Sequence, residues 1–307
     1  VSIGTVAEQL LYEVSDPQAY IVPDVVCDFS GVRLVQTEPE RVHVSGVKGY
    51  APTSTYKVCV TYDDGWRAVA LMPIVGIDAP RKAQRQSAAI LERTREMLRD
   101  RNLGDLRMTD VEVLDGDASY GAHRHGPSGA REAIAKVAVE HDDKRAVDLF
   151  WREQFSAMMN MSVGSTIGSL VGFGRGPSPV TKLFSFLIDK GAVETRVSVD
   201  GEAVPFRDGR TDRFRLDMIV RPAPGADPAD ADPALAVPLI ALAWARSGDK
   251  GNLFNVGVIA RRPEFLPYIR AALTPAAVAD WYRHFRADDS STVHRYELPG
   301  FHARNFV

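Results

Sequence analysis

Two apolar runs that read as β-strands enclose a short polar segment near the C-terminus, and this arrangement constrains the fold more than any other part of the chain. The runs cover residues 237–245 and 254–260, and the residues 247–252 between them read Ser-Gly-Asp-Lys-Gly-Asn. The two glycines permit positive φ, so successive N–H groups can converge on an anion. The same residue types are common in plain β-turns. The pattern therefore predicts a loop between strands, and it leaves open whether that loop faces a ligand or only turns the chain.

The rest of the sequence predicts a mixed α+β fold. A segment rich in Pro, Ala and Asp, residues 223–236, reads as a linker. It separates an α/β body, residues 1–222, from a C-terminal module, residues 237–307. The module follows the pattern strand, strand, helix, helix, strand, which suits two packed layers.

Within the body the patterns favour β-strands with packed helices. Asp78-Ala79-Pro80 begins a helix that runs to about residue 100, since proline is favoured in the first helical turn. A second helix is predicted over residues 142–155, with Asp142 or Asp143 as its N-cap. Asp63-Asp64-Gly65 predicts a hairpin turn between two strands.

The overall composition excludes several classes of protein. The chain has 307 residues and a net charge of −3, which gives no reason to expect a nucleic acid or an anionic membrane surface as partner. Its apolar runs are shorter than the ~18 residues that a membrane helix needs. Two cysteines are too few for a disulfide framework. We therefore expect a soluble, cytoplasmic protein.

Three other places carry polar side chains that are candidates for chemistry. Asp24 and Asp28 lie in an otherwise apolar segment, where a carboxylate can act as a base or metal ligand, or can simply cap a turn. His123 and His125 alternate on a loop, but no third metal ligand accompanies them. Arg175 lies in a glycine-rich stretch, residues 164–176, that either closes over an anion or only connects two elements.

The motifs of several large enzyme classes are absent from the sequence. There is no Walker A loop, no dinucleotide fingerprint, no zinc-protease motif and no nucleophile elbow. The chain also starts without Met on a strand-like tripeptide and a helical pattern, and ends on Asn305-Phe306-Val307 with no polar tail. We expect it to be one part of a longer polypeptide.

Several motifs together resemble the acyclic terpene utilisation (AtuA) family. They are Leu10-Leu11-Tyr12-Glu13 with Pro23-Asp24-Val25-Val26-Cys27-Asp28-Phe29-Ser30, then Tyr56-Lys57-Val58 with Asp64-Gly65 and Lys82-Ala83, and finally Trp244-Ala245-Arg246-Ser247-Gly248-Asp249-Lys250-Gly251-Asn252 with Asn255-Val256-Gly257. The resemblance covers nearly the whole chain. It implies a ferredoxin-like C-terminal domain and an N-terminal α/β portion that lies outside this sequence.

The resemblance also implies a chemistry. Members of the family are proposed to cleave a branched 3-hydroxyglutaryl-CoA thioester with release of acetate, so a carboxylate or acyl-CoA is the implied partner. Such a C–C lyase needs a base for the hydroxyl proton and a group that holds the enolate. The cofactor is unknown, a divalent metal is left open, and a homo-oligomer or an association with the missing portion is expected.

For this chemistry we hypothesise the following candidate roles. Asp249 or Asp24 is the base, and Lys250 with the Gly248 and Gly251 amides holds a carboxylate or oxyanion. The remaining candidates bind substrate carboxylate, CoA phosphate or other polar groups, and they are Arg246, Arg175, Ser247, Asn252 and Asn255. Two alternatives stay open: a hydratase or dehydratase of small hydroxy-acids, and a non-catalytic subunit that serves as an interface.

Overall fold

The chain forms an α+β protein of two compact units, which confirms the predicted class. The computed structural model describes residues 1–123, 129–166, 174–206, 213–225, 236–286, 288 and 290–307. One unit joins Val1–Lys57 to Leu187–Val307, and the other is Val58–Phe186. The predicted division into residues 1–222, 223–236 and 237–307 stays a prediction, and residues 226–235 lie outside the described residues.

The helices and strands of the described residues follow one another along the chain. In chain order they are α1 Ile3–Gln9, β1 Tyr20–Val22, β2 Val25–Asp28, β3 Arg33–Glu38, β4 Arg41–Ser45, β5 Lys48–Tyr50, β6 Thr55–Val75, α2 Ala79–Asp100, β7 Met108–Leu114, β8 Glu132–His141, α3 Lys144–Asn160, β9 Gly174–Asp189, β10 Val197–Val199, β11 Glu202–Val204, α4 Leu239–Leu242, β12 Ala243–Lys250, β13 Leu253–Ala260, α5 Leu266–Ala272, α6 Pro275–Trp281, β14 Arg295–Leu298 and β15 Ala303–Phe306. No helix among these residues is long and apolar enough to cross a membrane.

The C-terminal sheet contains four antiparallel strands in the order β12-β13-β15-β14. Two strands followed by two helices were predicted correctly. The chain then adds a pair of strands, β14 and β15, where a single strand was predicted. The first predicted strand was wrong at its start, because residues 239–242 form one helical turn after Pro238. A short apolar run does not distinguish a helical turn from a strand by periodicity.

Both faces of this sheet are covered, by different parts of the chain. We call one the N-terminal face, because Ala7, Leu11 and Val32 pack there against Ile259 and Ala303. We call the other the helix face. Its apolar cluster joins α5 and α6 to the sheet and contains Ala243, Val258, Ala260, Ile269, Val278 and Phe306.

The second unit contains a four-stranded sheet, in the order β7-β8-β6-β9, with α2 and α3 packed against it. Both helices were predicted correctly in place. Asp143 is the N-cap of α3 and accepts a hydrogen bond from Arg145 N at 2.8 Å. Hydrogen bonds from the Arg145 side chain and backbone lower the pKa of Asp143 to about 2.

The hairpin turn predicted at Asp63-Asp64-Gly65 was wrong. One continuous strand, β6, runs through these residues from Thr55 to Val75. Asp64 forms ion pairs with Arg107 and Lys182, so it is held in the extended strand. Gly65 keeps a positive φ of 81° within the strand, and a side chain there would lie 2.9 Å from His141 O. The glycine thus serves a close backbone approach in this strand.

Candidate functional site at the C-terminal hairpin

The polar segment predicted as a loop is mostly strand. β12 and β13 form a hairpin whose register runs from Ala243 opposite Ala260 to Lys250 opposite Leu253. Only Gly251 and Asn252 form the turn, and Gly251 has a φ of 64°. Glycine with positive φ at the first of two turn positions is typical of a type II′ turn. Gly248 is paired with Asn255 in the ladder, so the predicted loop in which the Gly248 and Gly251 amides converge does not form.

Strand geometry divides the polar residues between the two faces of the sheet, since successive side chains of a strand point to opposite sides. Arg246, Gly248 and Lys250 lie on the N-terminal face. Ser247 and Asp249 lie on the helix face, because they stand opposite Val256 and Phe254. The predicted site residues are therefore two groups with different surroundings.

The charged residues on the N-terminal face bind α1 and the segment that follows it. Arg246 Nη1 lies 2.8 Å from Glu8 Oε1, and its guanidinium lies 4.3 Å from the centre of the Tyr12 ring. Lys250 forms an ion pair with Glu13. The hydrogen bond that Lys250 donates to Glu13 lowers the pKa of Glu13 and raises the pKa of Lys250. These two cations have partners within the chain.

Two glycines bring the same segment into direct contact with the sheet. A side chain at Gly248 would lie 2.7 Å from Glu13 Cγ and 2.9 Å from Glu13 N. One at Gly257 would lie 2.6 Å from Leu11 Cβ. Because both distances are shorter than a side chain permits, glycine at these positions is required for this packing. Gly248 was one of two glycines predicted to bind an anion. The structure shows that it instead allows Glu13 to pack against the strand.

Two buried asparagines complete this contact. Asn255 Nδ2 donates to Leu11 O and to Asn305 Oδ1, both at 2.7 Å. Asn305 Nδ2 donates to Val14 O at 2.7 Å and to Ser15 O at 2.9 Å. Buried backbone carbonyls need such partners when no ladder supplies them. Asn255, predicted to contact substrate, thus holds the backbone of the N-terminal segment.

A cavity of about 300 Å³ opens on the helix face at the turn of the hairpin. Its apolar wall consists of Leu253, Phe254, Val256, Val278, Phe285, Val293 and Phe306. Polar side chains belong to its lining as well, namely Asn252, Arg286, Asp288, Ser290, Ser291 and Thr292. An apolar cavity with a few polar groups is the usual form of a small-molecule site.

Asp249 and Ser247 lie next to this cavity. Their cross-strand partners, Phe254 and Val256, are part of its wall, and directly opposed residues of an antiparallel pair have Cβ atoms ~4.5–5.5 Å apart. Both polar residues are exposed. Of the predicted candidates, Asn252 therefore lines the cavity, and Asp249 and Ser247 lie opposite residues of its wall on the same face of the sheet.

The polar side of the cavity is organised by a short turn. Asp288 Oδ1 accepts hydrogen bonds from Ser290 N at 2.8 Å and Ser291 N at 3.2 Å. Hydrogen bonds from Ser290, first its side chain and then its backbone, lower the pKa of Asp288. Arg286 Nε donates to Ser291 Oγ at 3.0 Å. A guanidinium and a carboxylate are thus held in fixed positions beside apolar walls, and sequence reasoning missed both.

Two aromatic rings of the cavity wall, Phe254 and Phe285, pack against Tyr282. The rings of Phe254 and Tyr282 have centres 5.2 Å apart, and those of Tyr282 and Phe285 are 6.5 Å apart. Burial raises the pKa of the Tyr282 phenol.

The other predicted residues lie elsewhere. Asp24 is exposed in the turn between β1 and β2, and Arg175 is exposed at the start of β9 in the second unit. Asp28 is buried and accepts a hydrogen bond from Ser30 N at 2.8 Å, as a turn-capping carboxylate does. His123 ends a short 3₁₀ helix, while His125 and residues 167–173 of the glycine-rich stretch lie outside the described residues. Within the described part of the chain, no group of three or more His, Cys, Asp or Glu is placed to hold a metal ion.

Comparison with known protein families shows to which family the chain belongs. The family described as acyclic terpene utilisation family protein AtuA matches residues 1–199. The chain belongs to the AtuA family. A second family, the AtuA ferredoxin-like domain, matches residues 237–307, which contain the hairpin and the cavity. No curated protein and no solved structure matched the chain. Membership of the AtuA family links the chain to acyclic terpene utilisation, and the resemblance noted from the sequence is confirmed.

Proposed function

We propose that this AtuA-family chain is a catabolic enzyme, or the C-terminal part of one, that acts on a branched hydroxy-carboxylate or its CoA thioester. The observation that carries the proposal is the apolar cavity at the turn of the β12–β13 hairpin, with Asp249 beside it. Family membership supplies the substrate class, since acyclic terpenes are branched and apolar. The cavity volume of about 300 Å³ suits one branched hydrocarbon chain.

Asp249 is the proposed general base of a C–C lyase. Its carboxylate takes the proton of the substrate hydroxyl, and the adjacent C–C bond then breaks to give a ketone and an enolate. The enolate regains a proton from the Asp249 carboxyl group, so the base returns to its starting form. General bases of this kind contribute typically 10²–10⁴-fold to a rate.

In this reaction Arg286, and not the predicted Lys250, binds the anionic group of the substrate. Lys250 lies on the opposite face of the sheet and pairs with Glu13. Arg286 lines the cavity, and its guanidinium suits a substrate carboxylate or phosphate. Ser247 and Asn252 are the proposed hydrogen-bond donors to the enolate oxygen, because both lie on the cavity side of the hairpin.

A hydratase of small hydroxy-acids would use the same base and the same guanidinium, so ligand size distinguishes the two reactions. Thermal unfolding of the purified protein measures this, since a ligand that binds the native state raises the unfolding temperature. We expect a branched 3-hydroxyacyl-CoA to raise it. A short hydroxy-acid that does so instead would favour the hydratase.

The second candidate function is a non-catalytic interface subunit. The contacts of Arg246, Gly248, Lys250 and Asn255 with the N-terminal segment favour it, because they give most of the motif a structural role. The test is the lyase activity of Asp249→Asn, with Asp217→Asn as the matched control, since Asp217 pairs with Arg215 away from the cavity. We expect a loss of about 10²-fold or more for the first and none for the second. Equal activity in both variants would exclude Asp249 as the base, whereas a parent protein without any lyase activity would support the interface subunit.

The predicted homo-oligomer is part of the same proposal. The intact mass of the native protein, measured under non-denaturing and denaturing conditions, tests it. A mass that is a multiple of 33.7 kDa supports a homo-oligomer. Co-purification of a second chain supports association with an N-terminal portion, and a mass equal to one chain contradicts both.

A further inference from the structure

A second pocket lies along β14, which is an edge strand of the C-terminal sheet. It has a volume of about 360 Å³ and shares no lining residue with the cavity at the hairpin. Its polar lining comes from Gln18, Arg221, His294, Arg295, Tyr296 and Glu297. The lining thus combines two arginines with one carboxylate and three uncharged polar side chains.

Among the described residues beside this pocket, positive charge exceeds negative charge. Glu297 is paired with two arginines, Arg304 through Nε at 3.0 Å and Arg295 through Nε at 3.1 Å. The Arg304 side chain is only 1% exposed, and Glu297 is 14% exposed. One carboxylate thus faces two guanidinium groups at a buried site, where an uncompensated charge is costly. A bound anion would restore the balance.

A buried donor without a hydrogen-bond partner points to the same conclusion. Gln18 is 1% exposed and lines the pocket, and its Nε2 has no hydrogen-bond partner among the described residues. Buried polar groups of this kind are normally hydrogen-bonded in folded proteins, so each needs an explanation.

The remaining wall of the pocket is fixed in place. Arg221 binds both carboxylate oxygens of Asp16, at 2.7 and 2.6 Å, and donates to Gln18 Oε1 at 2.5 Å. Its guanidinium lies 5.2 Å from the centre of the Tyr296 ring. Gln18 is therefore oriented with its oxygen toward Arg221, which leaves its amide N–H groups for a ligand.

Arg295 is the second donor. Although its Nε lies 3.1 Å from Glu297 Oε1, that oxygen has no aligned hydrogen bond. The side chain is 20% exposed, so the guanidinium is accessible from the pocket. Its planar fork matches the two oxygens of a carboxylate.

We infer that the pocket along β14 binds a small carboxylate, held by Arg295 and by the Gln18 amide. The site is distinct from the proposed catalytic cavity, and the inference does not depend on the proposed reaction. A bound carboxylate supplies the missing anion and accepts from the unpartnered Gln18 amide.

Calorimetric titration with propionate tests this inference, with propionamide as the uncharged control at matched ionic strength. We expect propionate to bind and propionamide not to bind. Arg295→Gln and Gln18→Met should each weaken propionate binding by about tenfold, because each removes one hydrogen bond to a charged group. Arg283→Gln is the matched control, since Arg283 pairs with Asp280 outside the pocket, and it should bind propionate as the parent does.

Arg295→Lys covers the case in which Arg295→Gln fails to fold, because it keeps the charge and loses the fork. It should bind propionate more weakly than the parent while unfolding at a similar temperature. The inference is overturned if propionate and propionamide give the same heat, or if the pocket variants bind propionate as tightly as Arg283→Gln does. Neither result would bear on Asp249, so the proposed function would be unaffected.

Discussion

The two faces of the C-terminal sheet are built from different interactions, although the same strands supply both. On the N-terminal face, the backbone of residues 11–15 lies directly on glycines and is held by asparagine side chains. On the helix face, α5 and α6 pack by apolar side chains and leave a cavity. The comparison shows that neighbouring residues of one motif serve two purposes, one structural and one open to a ligand.

Adjacent residues of β15 show the difference most directly. Asn305 points to the N-terminal face and donates two hydrogen bonds to backbone carbonyls. Phe306 points to the helix face and belongs to its apolar cluster. Both are buried, at 0% and 1% exposure. Loss of either side chain should destabilise the protein, but for different physical reasons.

The largest effect is expected for Phe306→Ala on the helix face. Removing a buried phenylalanine typically costs ~3–5 kcal/mol, because apolar contacts are lost and a void remains. Urea unfolding of the variant measures the change in the free energy of unfolding. Phe285→Ala is the control, because Phe285 lines the same cavity but is 57% exposed, and it should cost much less. Equal losses in the two variants would contradict the assignment of Phe306 to the core.

Asn305→Ala on the N-terminal face should come next. It leaves the carbonyls of Val14 and Ser15 without their partner and also removes the acceptor of Asn255. Each buried polar group left without a hydrogen bond costs ~1–3 kcal/mol. The same unfolding measurement applies, with Asn252→Ala in the exposed turn as the control. Hydrogen exchange of residues 11–15 should also accelerate, and unchanged exchange would show that the asparagine does not hold this segment.

Gly257→Ala should have a smaller effect on the same face. Its new Cβ would lie 2.6 Å from Leu11 Cβ, so the N-terminal segment has to shift. Overpacking of this kind typically costs ~1–3 kcal/mol. Gly4→Ala in α1 is the matched control, because its Cβ would meet only Ser2 Oγ at 3.7 Å, and alanine favours a helix. Equal stability of the two variants would mean that the segment does not rest on the glycine.

The comparison also explains which parts of the molecule could be predicted from the sequence. Helix α2 was predicted from Asp78-Ala79-Pro80, and β13 from its apolar run, because these signals are local. The turn at residues 63–65 was predicted wrongly for the same reason. Its residues are typical of a turn, but ion pairs of Asp64 with Arg107 and Lys182 accompany a continuous strand.

The contacts of the N-terminal face could not be predicted, because they join residues far apart in the chain. Asn255 and Leu11 are 244 residues apart, and Arg246 and Glu8 are 238 apart. No periodicity within the polar segment indicates that Lys250 has a partner at Glu13. Alternation along a strand was the available signal, and it would have placed Asp249 and Lys250 on opposite faces once the segment was taken as strand.

The smallest expected effect on stability concerns the ion pair of Glu13 with Lys250. We expect the contribution of this pair to depend on pH, whereas the apolar contacts of the helix face should not. The pKa of Glu13 lies below its ordinary value of 4.5, so its contribution to stability is fully present above that pH and is lost as the pH falls through the lowered pKa. The pKa of Lys250 lies above 10.5, so its contribution is lost only as the pH rises beyond that value. Urea unfolding should therefore show a small loss of stability for Glu13→Gln at neutral pH and none in acid.

The loss of stability caused by Glu13→Gln should also vanish when Lys250→Gln is already present, because the ion pair is then absent. Phe285→Ala on the helix face should show no such pH dependence, and a Glu13→Gln effect that persists in acid would mean that the pair does not stabilise the N-terminal face.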